Sequence, residues 1–162
     1  MLHMPVLETP RLLIRPFEAR DLPAAHQLLD VDLDEAEMGA EKLTGLAERA
    51  EWLQWASLNP RQLALLNQPP YGDRAVLLKS SGQLIGACGL VPALNPFEQI
   101  PGFYAHRPLR QPGRCTPEVA LFYALSPAHQ RQGYALEAAC ALVNFAFEQL
   151  RLERIIAETD DD

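Results

Sequence analysis

Val119-Ala-Leu-Phe-Tyr-Ala-Leu-Ser-Pro-Ala-His-Gln-Arg-Gln-Gly-Tyr-Ala135 passes from an almost unbroken apolar run into a glycine-bearing loop. Residues 119–125 suit a central strand covered on both faces better than a half-exposed edge. Ser126-Pro127 ends that strand. Beyond Gly133, Leu136, Ala139, Cys140, Val143, Phe147 and Leu150 recur on one face, with Glu137, Asn144 and Glu148 opposite, so residues 133–150 read as an amphipathic helix. Residues 154–158 form a further apolar run. The result is a strand, helix, strand unit whose crossover is expected to be right-handed.

Working outward from this unit, residues 12–15 form a β-prone run closed by Pro16, and Asp21-Leu22-Pro23 marks a helix start. Leu22, Ala25, His26 and Leu29 recur at helical spacing, and Leu43, Leu46, Ala47, Ala50 and Leu53 predict a second helix over residues 41–58. Residues 59–73 carry three prolines and a glycine and read as a connector. Two apolar runs, 75–79 and 84–90, flank Ser80-Ser81-Gly82-Gln83 and predict an antiparallel hairpin. Residues 95–117 hold too many prolines and glycines for regular structure and are expected to form a long surface loop.

A chain of 162 residues is large enough to bury one core without disulfide or metal staples, so residues 1–162 are read as a single α/β domain. The 48% hydrophobic and 22% charged content suits a soluble globular protein, and no stretch approaches the length of a membrane span. No membrane association and a cytoplasmic location are the expectation. Three cysteines, Cys88, Cys115 and Cys140, without C-x-x-C spacing suggest neither disulfides nor a metal site. The net charge of −7 disfavours nucleic acid and mildly favours cationic partners such as amines.

The loop between the strand and the long helix carries the chemistry. A glycine at a helix start lets backbone N–H groups converge on an anion, aided by the helix dipole, and pyrophosphate is the natural guest. Arg131 adds a cation, and small Ala135 keeps the first turn accessible. Neither G-x-x-x-x-G-K-[ST] nor G-x-G-x-x-G occurs. An ordinary tight turn explains the same residues taken alone.

In context, Gln130, Gly133 and Ala135 match the Q/R-x-x-G-x-G/A loop of the GNAT superfamily of N-acetyltransferases, which the sequence resembles. The opening Leu7-Glu-Thr-Pro-Arg-Leu-Leu-Ile-Arg-Pro16 and Leu84-Ile-Gly-Ala-Cys-Gly-Leu90 resemble its branch that acetylates ribosomal-protein N-termini. The resemblance implies a mixed, mostly antiparallel sheet flanked by helices and splayed between its fourth and fifth strands, here residues 119–125 and 154–158. Tyr123, Ala124 and Leu125 would pair with the pantetheine arm of acetyl-CoA, and Gln130, Arg131, Gln132, Gly133, Tyr134 and Ala135 would hold its pyrophosphate. It implies acetyl transfer to a primary amine, on a protein N-terminus or a small molecule, without an acyl-enzyme. Where many relatives have a catalytic glutamate, this chain has Ala120; Glu118, two residues earlier on the same strand face, is the candidate base. His106, His129 and Glu98 are weaker substitutes, and Trp52 and Trp55 are candidate walls of an acceptor site. The alternatives are an acyl-CoA-binding module without catalysis and a purely structural domain.

Relatives continue beyond Glu158-Thr-Asp-Asp-Asp162 with a helix, further strands and an acid that protonates the departing thiolate. The resemblance therefore implies an incomplete catalytic domain, its missing wall supplied by more chain or by a second copy in a homodimer. If the domain is complete, Tyr104 and Tyr134 are the first candidates for the acid.

Overall fold

The computed structural model describes residues 4–33, 43, 45–95 and 116–157. Five strands, β1 (Leu7–Glu8), β2 (Leu12–Pro16), β3 (Gly72–Leu78), β4 (Leu84–Asn95) and β5 (Thr116–Leu125), form one antiparallel sheet in chain order. Helix α1 (Leu22–His26) runs directly into a π-helical turn, Gln27–Asp32, and is followed by α2 (Leu46–Leu65) and α3 (Tyr134–Glu148).

Strand alternation divides the apolar residues between two layers. Leu12, Ile14, Val76, Ile85, Cys88, Leu90 and Leu125 pack with Ala138, Leu142, Phe145 and Ala146 of α3. Phe17, Ala75, Leu77, Ala87 and Ala124 face the other way and pack with Ala25, Leu28 and Leu29 near the chain start and Leu53 and Ala56 of α2. Ion pairs pin the second layer at its rim: Arg15 binds Asp21 at 2.7 and 2.8 Å, and Arg49 of α2 binds Asp30 of the π turn at 2.9 and 2.5 Å.

Several expectations are corrected by tertiary contacts. Strand 119–125, expected to be central and covered on both faces, is the last in the sheet order. Helix α3 turns Ala138, Leu142, Phe145 and Ala146 to the core, so Leu136 and Phe147 of the expected apolar face are exposed. The second helix begins at Leu46 and continues to Leu65, through Pro60 and into the expected connector. Proline removes one helical N–H and crowds the preceding turn, yet Ala56 and Leu63 are buried on either side of it, and Asn59 Nδ2 donates to the Tyr71 carbonyl at 3.0 Å. Packing outweighs the local penalty. The β3/β4 hairpin is present, but β4 runs on to Asn95 and β5 starts at Thr116, so the long loop is shorter than expected at both ends. Most of that loop, with Glu98, Tyr104, His106 and Cys115, lies outside the described residues, as do residues 41, 42 and 44 of the expected second helix and residue 158 of the expected last strand. Within the described residues 154–157 that last strand shows one parallel bridge, Ile156 to Ala120, made by Leu121 N–H to Ile156 O at 2.8 Å and Ile156 N–H to Val119 O at 3.0 Å.

Two prolines inside the β4/β5 ladder show how its register is built. Ser126 N–H donates to Ile85 O at 2.9 Å. Counting alternately from that pair makes residues 124, 122, 120, 118 and 116 the hydrogen-bonded members of β5 and leaves Pro92–Val119 and Leu94–Pro117 as non-hydrogen-bonded pairs. Each proline thus sits where its missing N–H costs no bond between β4 and β5.

Candidate active site

At the end of β5 the chain makes one 3-10 turn, Pro127–His129, and enters α3 through Gln130 to Gly133. Arg131 at φ 57° and Gly133 at φ 81° are both left-handed, and the Gly133 conformation is one that glycine adopts without strain. Gly133 is the N-cap of α3 and carries no side chain to occupy the first-turn N–H groups, which stay available to an anion. The glutamine side chains hold the loop from inside: Gln130 Nε2 donates to Leu125 O at 3.1 Å and Gln132 Nε2 to Ala128 O at 3.0 Å. His129 borders the same loop, its ring 6.4 Å from that of Tyr134 and its Nδ1 buried without a hydrogen-bond partner.

A contribution that sequence periodicity did not reveal comes from the N-terminal segment. Glu137, expected on the solvent face of α3, is only 15% exposed, because Thr9 Oγ1, Arg11 N–H and Arg11 Nε donate to its carboxylate at 2.5, 2.9 and 2.6 Å. Burial pushes its carboxyl up, but the hydrogen bonds from Thr9 and Arg11 and the Arg11 charge hold it below the usual range. Arg11 Nη1 also donates to Gln132 O at 3.0 Å, and the guanidinium lies 4.3 Å over the Tyr134 ring. The only sequence signal was the Thr9-Pro-Arg11 motif itself.

The free side of β5 lies beside this loop. Val119, Leu121, Tyr123 and Leu125 direct their backbone groups away from β4. Ile156 takes the Val119 carbonyl and the Leu121 N–H, and the Gln130 side chain takes Leu125 O. Tyr123 N–H and C=O and Leu125 N–H face the open edge. Tyr123, Ala124 and Leu125 thus run straight into Gln130 to Ala135.

On the α1/α2 face, Glu118 and Ala120 share a side of β5 with Phe122 and Ala124. The Glu118 side chain is nearly buried, and both carboxylate oxygens receive the Arg154 guanidinium, Nε at 3.1 Å and Nη2 more closely. Trp52 is a packing residue, edge-on to Phe17 at 5.1 Å with Arg49 stacked at 4.6 Å, and Trp55 is 55% exposed. Cys88 is buried, which pushes its thiol up to about 12, with Asp73 adding to the rise and Arg74 opposing it, so it is no nucleophile at neutral pH. On β3, burial raises the Asp73 carboxyl above the ordinary range, with only the Arg49 charge opposing. Among the described residues no group of three or more His, Cys, Asp or Glu is arranged to hold a metal, and no helix is long and apolar enough to cross a membrane.

The fold is shared with solved acetyltransferases. An acetyltransferase from Agrobacterium tumefaciens superposes with a TM-score of 0.66 at 22% identity, covering 100% of this chain and 78% of that one. A putative ribosomal-protein-serine acetyltransferase from Vibrio cholerae gives 0.64 at 20% identity, with the same coverage of both chains. The ribosomal-protein-S5-alanine acetyltransferase from Vibrio fischeri gives 0.64 at 16% identity, covering 95% of this chain and 73% of that one. Residues 11–162 match the acetyltransferase (GNAT) domain, nearly the whole length, and the chain belongs to that family.

Proposed function

We propose that the chain transfers an acetyl group from acetyl-CoA to a primary amine by direct attack within a ternary complex. One observation carries this reading: the edge of β5 at Tyr123 and the Leu125 N–H, unpaired among the described residues, leads directly into a helix start whose N–H groups no described side chain caps. An edge strand pairs with the amides of an extended arm, and the uncapped turn takes a pyrophosphate. Gln130 and Gln132 keep the loop in shape, Gly133 and Ala135 admit close approach, and Arg131 and Tyr134 border the anion.

The chemistry asks for positioning and for management of protons. The amine must lose a proton before its lone pair attacks the thioester carbonyl; the new C–N bond forms as the C–S bond breaks, and the thiolate then takes a proton. Glu118 is the proposed acceptor of the amine's proton, through water. Its Arg154 partner orients it, and the exchange requires the ion pair to loosen. The likeness to ribosomal-protein acetyltransferases of two Vibrio species makes a protein N-terminus the first acceptor to try, with small amines as the second. A second reading, an acyl-CoA-binding module without turnover, is favoured by Ala120 and by the engagement of Glu118 with Arg154. Calorimetric titration with acetyl-CoA tests the site, and release of free CoA with a panel of N-terminal peptides and small amines tests turnover. Binding without thiol release across the panel would select the second reading, and absence of binding would overturn both.

A further inference from the structure

We propose that Arg11 is a positioning residue of the acyl-CoA loop, and that its remaining terminal nitrogen provides positive charge at the anion site. This rests on the reading of Gln130 to Ala135 as the pyrophosphate loop. The sequence offered Arg131 as the cation there; the structure assigns a second from the opposite end of the chain.

Three physical arguments converge on Arg11. First, Glu137 stands on the first turn of α3, one turn from where an anion would bind. An uncompensated carboxylate there would repel phosphate. Arg11 neutralises it through Nε and its own backbone N–H, with Thr9 as third donor. Second, the Gln132 carbonyl immediately precedes Gly133. Swung toward the helix start, it would present negative charge to the ligand. Arg11 Nη1 takes that oxygen at 3.0 Å, so the loop shows N–H groups and not a carbonyl. Third, Arg11 Nη2 has no hydrogen-bond partner among the described residues, and it would lie 3.4 Å from a Cβ placed on Gly133. Stacking on Tyr134 at 4.3 Å fixes the guanidinium plane and leaves this last corner of the fork beside the loop. Lysine has one charge but no fork, and cannot meet Glu137, Gln132 and a phosphate together.

The test compares acetyl-CoA with acetyl-pantetheine, which keeps the thioester and the arm but lacks the pyrophosphate, on wild-type protein, Arg11→Gln, Arg11→Lys and the double variant Arg11→Gln/Glu137→Gln. Affinity, KM, kcat and melting temperature are read for each. Arg11→Gln is expected to weaken acetyl-CoA about tenfold, the scale of one charge-assisted hydrogen bond, to leave acetyl-pantetheine within about twofold, and to lower kcat at saturation less than affinity. Arg11→Lys should restore part of the affinity, and the double variant should recover part of it by removing the exposed carboxylate. Equal loss of both ligands, no loss of either, or no recovery in the double variant would overturn the role of Arg11. Failure of the wild-type protein to bind acetyl-CoA would instead overturn the underlying reading of the loop.

Discussion

The two sides of β5 differ sharply. Toward β4 it makes ten consecutive antiparallel pairs, from Gly86–Leu125 to Asn95–Thr116. Among the described residues it makes, on the opposite side, a single parallel bridge at Ile156. Both sides belong to one strand with one composition, so propensity does not account for the contrast; what differs is the partner each side meets. The closed side carries stability. The open side, beside Gln130 to Ala135, retains backbone hydrogen-bonding capacity that a buried strand would not leave unused without a role.

The largest expected effect breaks the contrast directly. Ala124 donates its N–H to the ladder with β4, whereas the Tyr123 N–H faces the open edge. Ala124→Pro should destabilise by about 3 kcal/mol or more. Tyr123→Pro should cost clearly less in stability but should weaken acetyl-CoA binding. Urea unfolding and calorimetry on the pair decide the matter, and equal destabilisation would mean that the edge is not open. Next comes Glu118→Gln, on the strand half that Ile156 does cover. Removing a base at fixed geometry should reduce turnover by roughly 10² to 10⁴-fold, and wild-type turnover across pH in this variant would place deprotonation elsewhere.

Gly133→Val probes where the open edge meets the helix. The left-handed backbone at φ 81° should add roughly 1 to 3 kcal/mol of strain, and the new side chain would crowd Arg11 and the anion path. A folded variant with unchanged acetyl-CoA affinity would remove the loop from the site.

The smallest effect concerns Asp73 of β3, in register with Gly89 of β4. Its folded pKa is raised above the unfolded value by burial. Its contribution therefore favours the fold below the unfolded pKa near 4 and is lost as pH rises through the folded pKa. Asp73→Asn should raise the melting temperature at pH 7, with the gain shrinking toward pH 4. A gain that grows on acidification would contradict the burial account. Asp21 and Asp30 behave oppositely: burial raises both carboxyls, but bonds to Arg15 and to Arg49 outweigh it, so their contribution is lost as pH falls.

Much of this was legible locally. The hairpin, a strand at 119–125 and a helix after Gly133 follow from alternation, apolar runs and helical spacing, each read within a short window, but not the side each element buries: Leu136 and Phe147 of the expected apolar face are exposed while Ala138, Leu142, Phe145 and Ala146 are buried. The same windows failed at Pro60, where the penalty is local but the compensation comes from Asn59 reaching Tyr71 and from Leu63 burying itself. They failed again at the C-terminal strand, because whether an apolar run pairs along its length or at one residue depends on how its neighbour splays. Nor does helical spacing reveal that Trp52 packs edge-on to Phe17 with Arg49 stacked on it.

By itself the sequence determined the order of elements, the loop with its glycine at a helix start, and the family to which the chain belongs, since all three are written in contiguous residues. Only the tertiary structure decided which groups face that loop. Glu137 and Arg11 are 126 residues apart, and nothing in the periodicity of either segment encodes their meeting. That contact exists because β1 and β2 and the start of α3 converge at one end of the sheet, where closing a long loop is repaid by apolar burial shared across the core, not by any one pair.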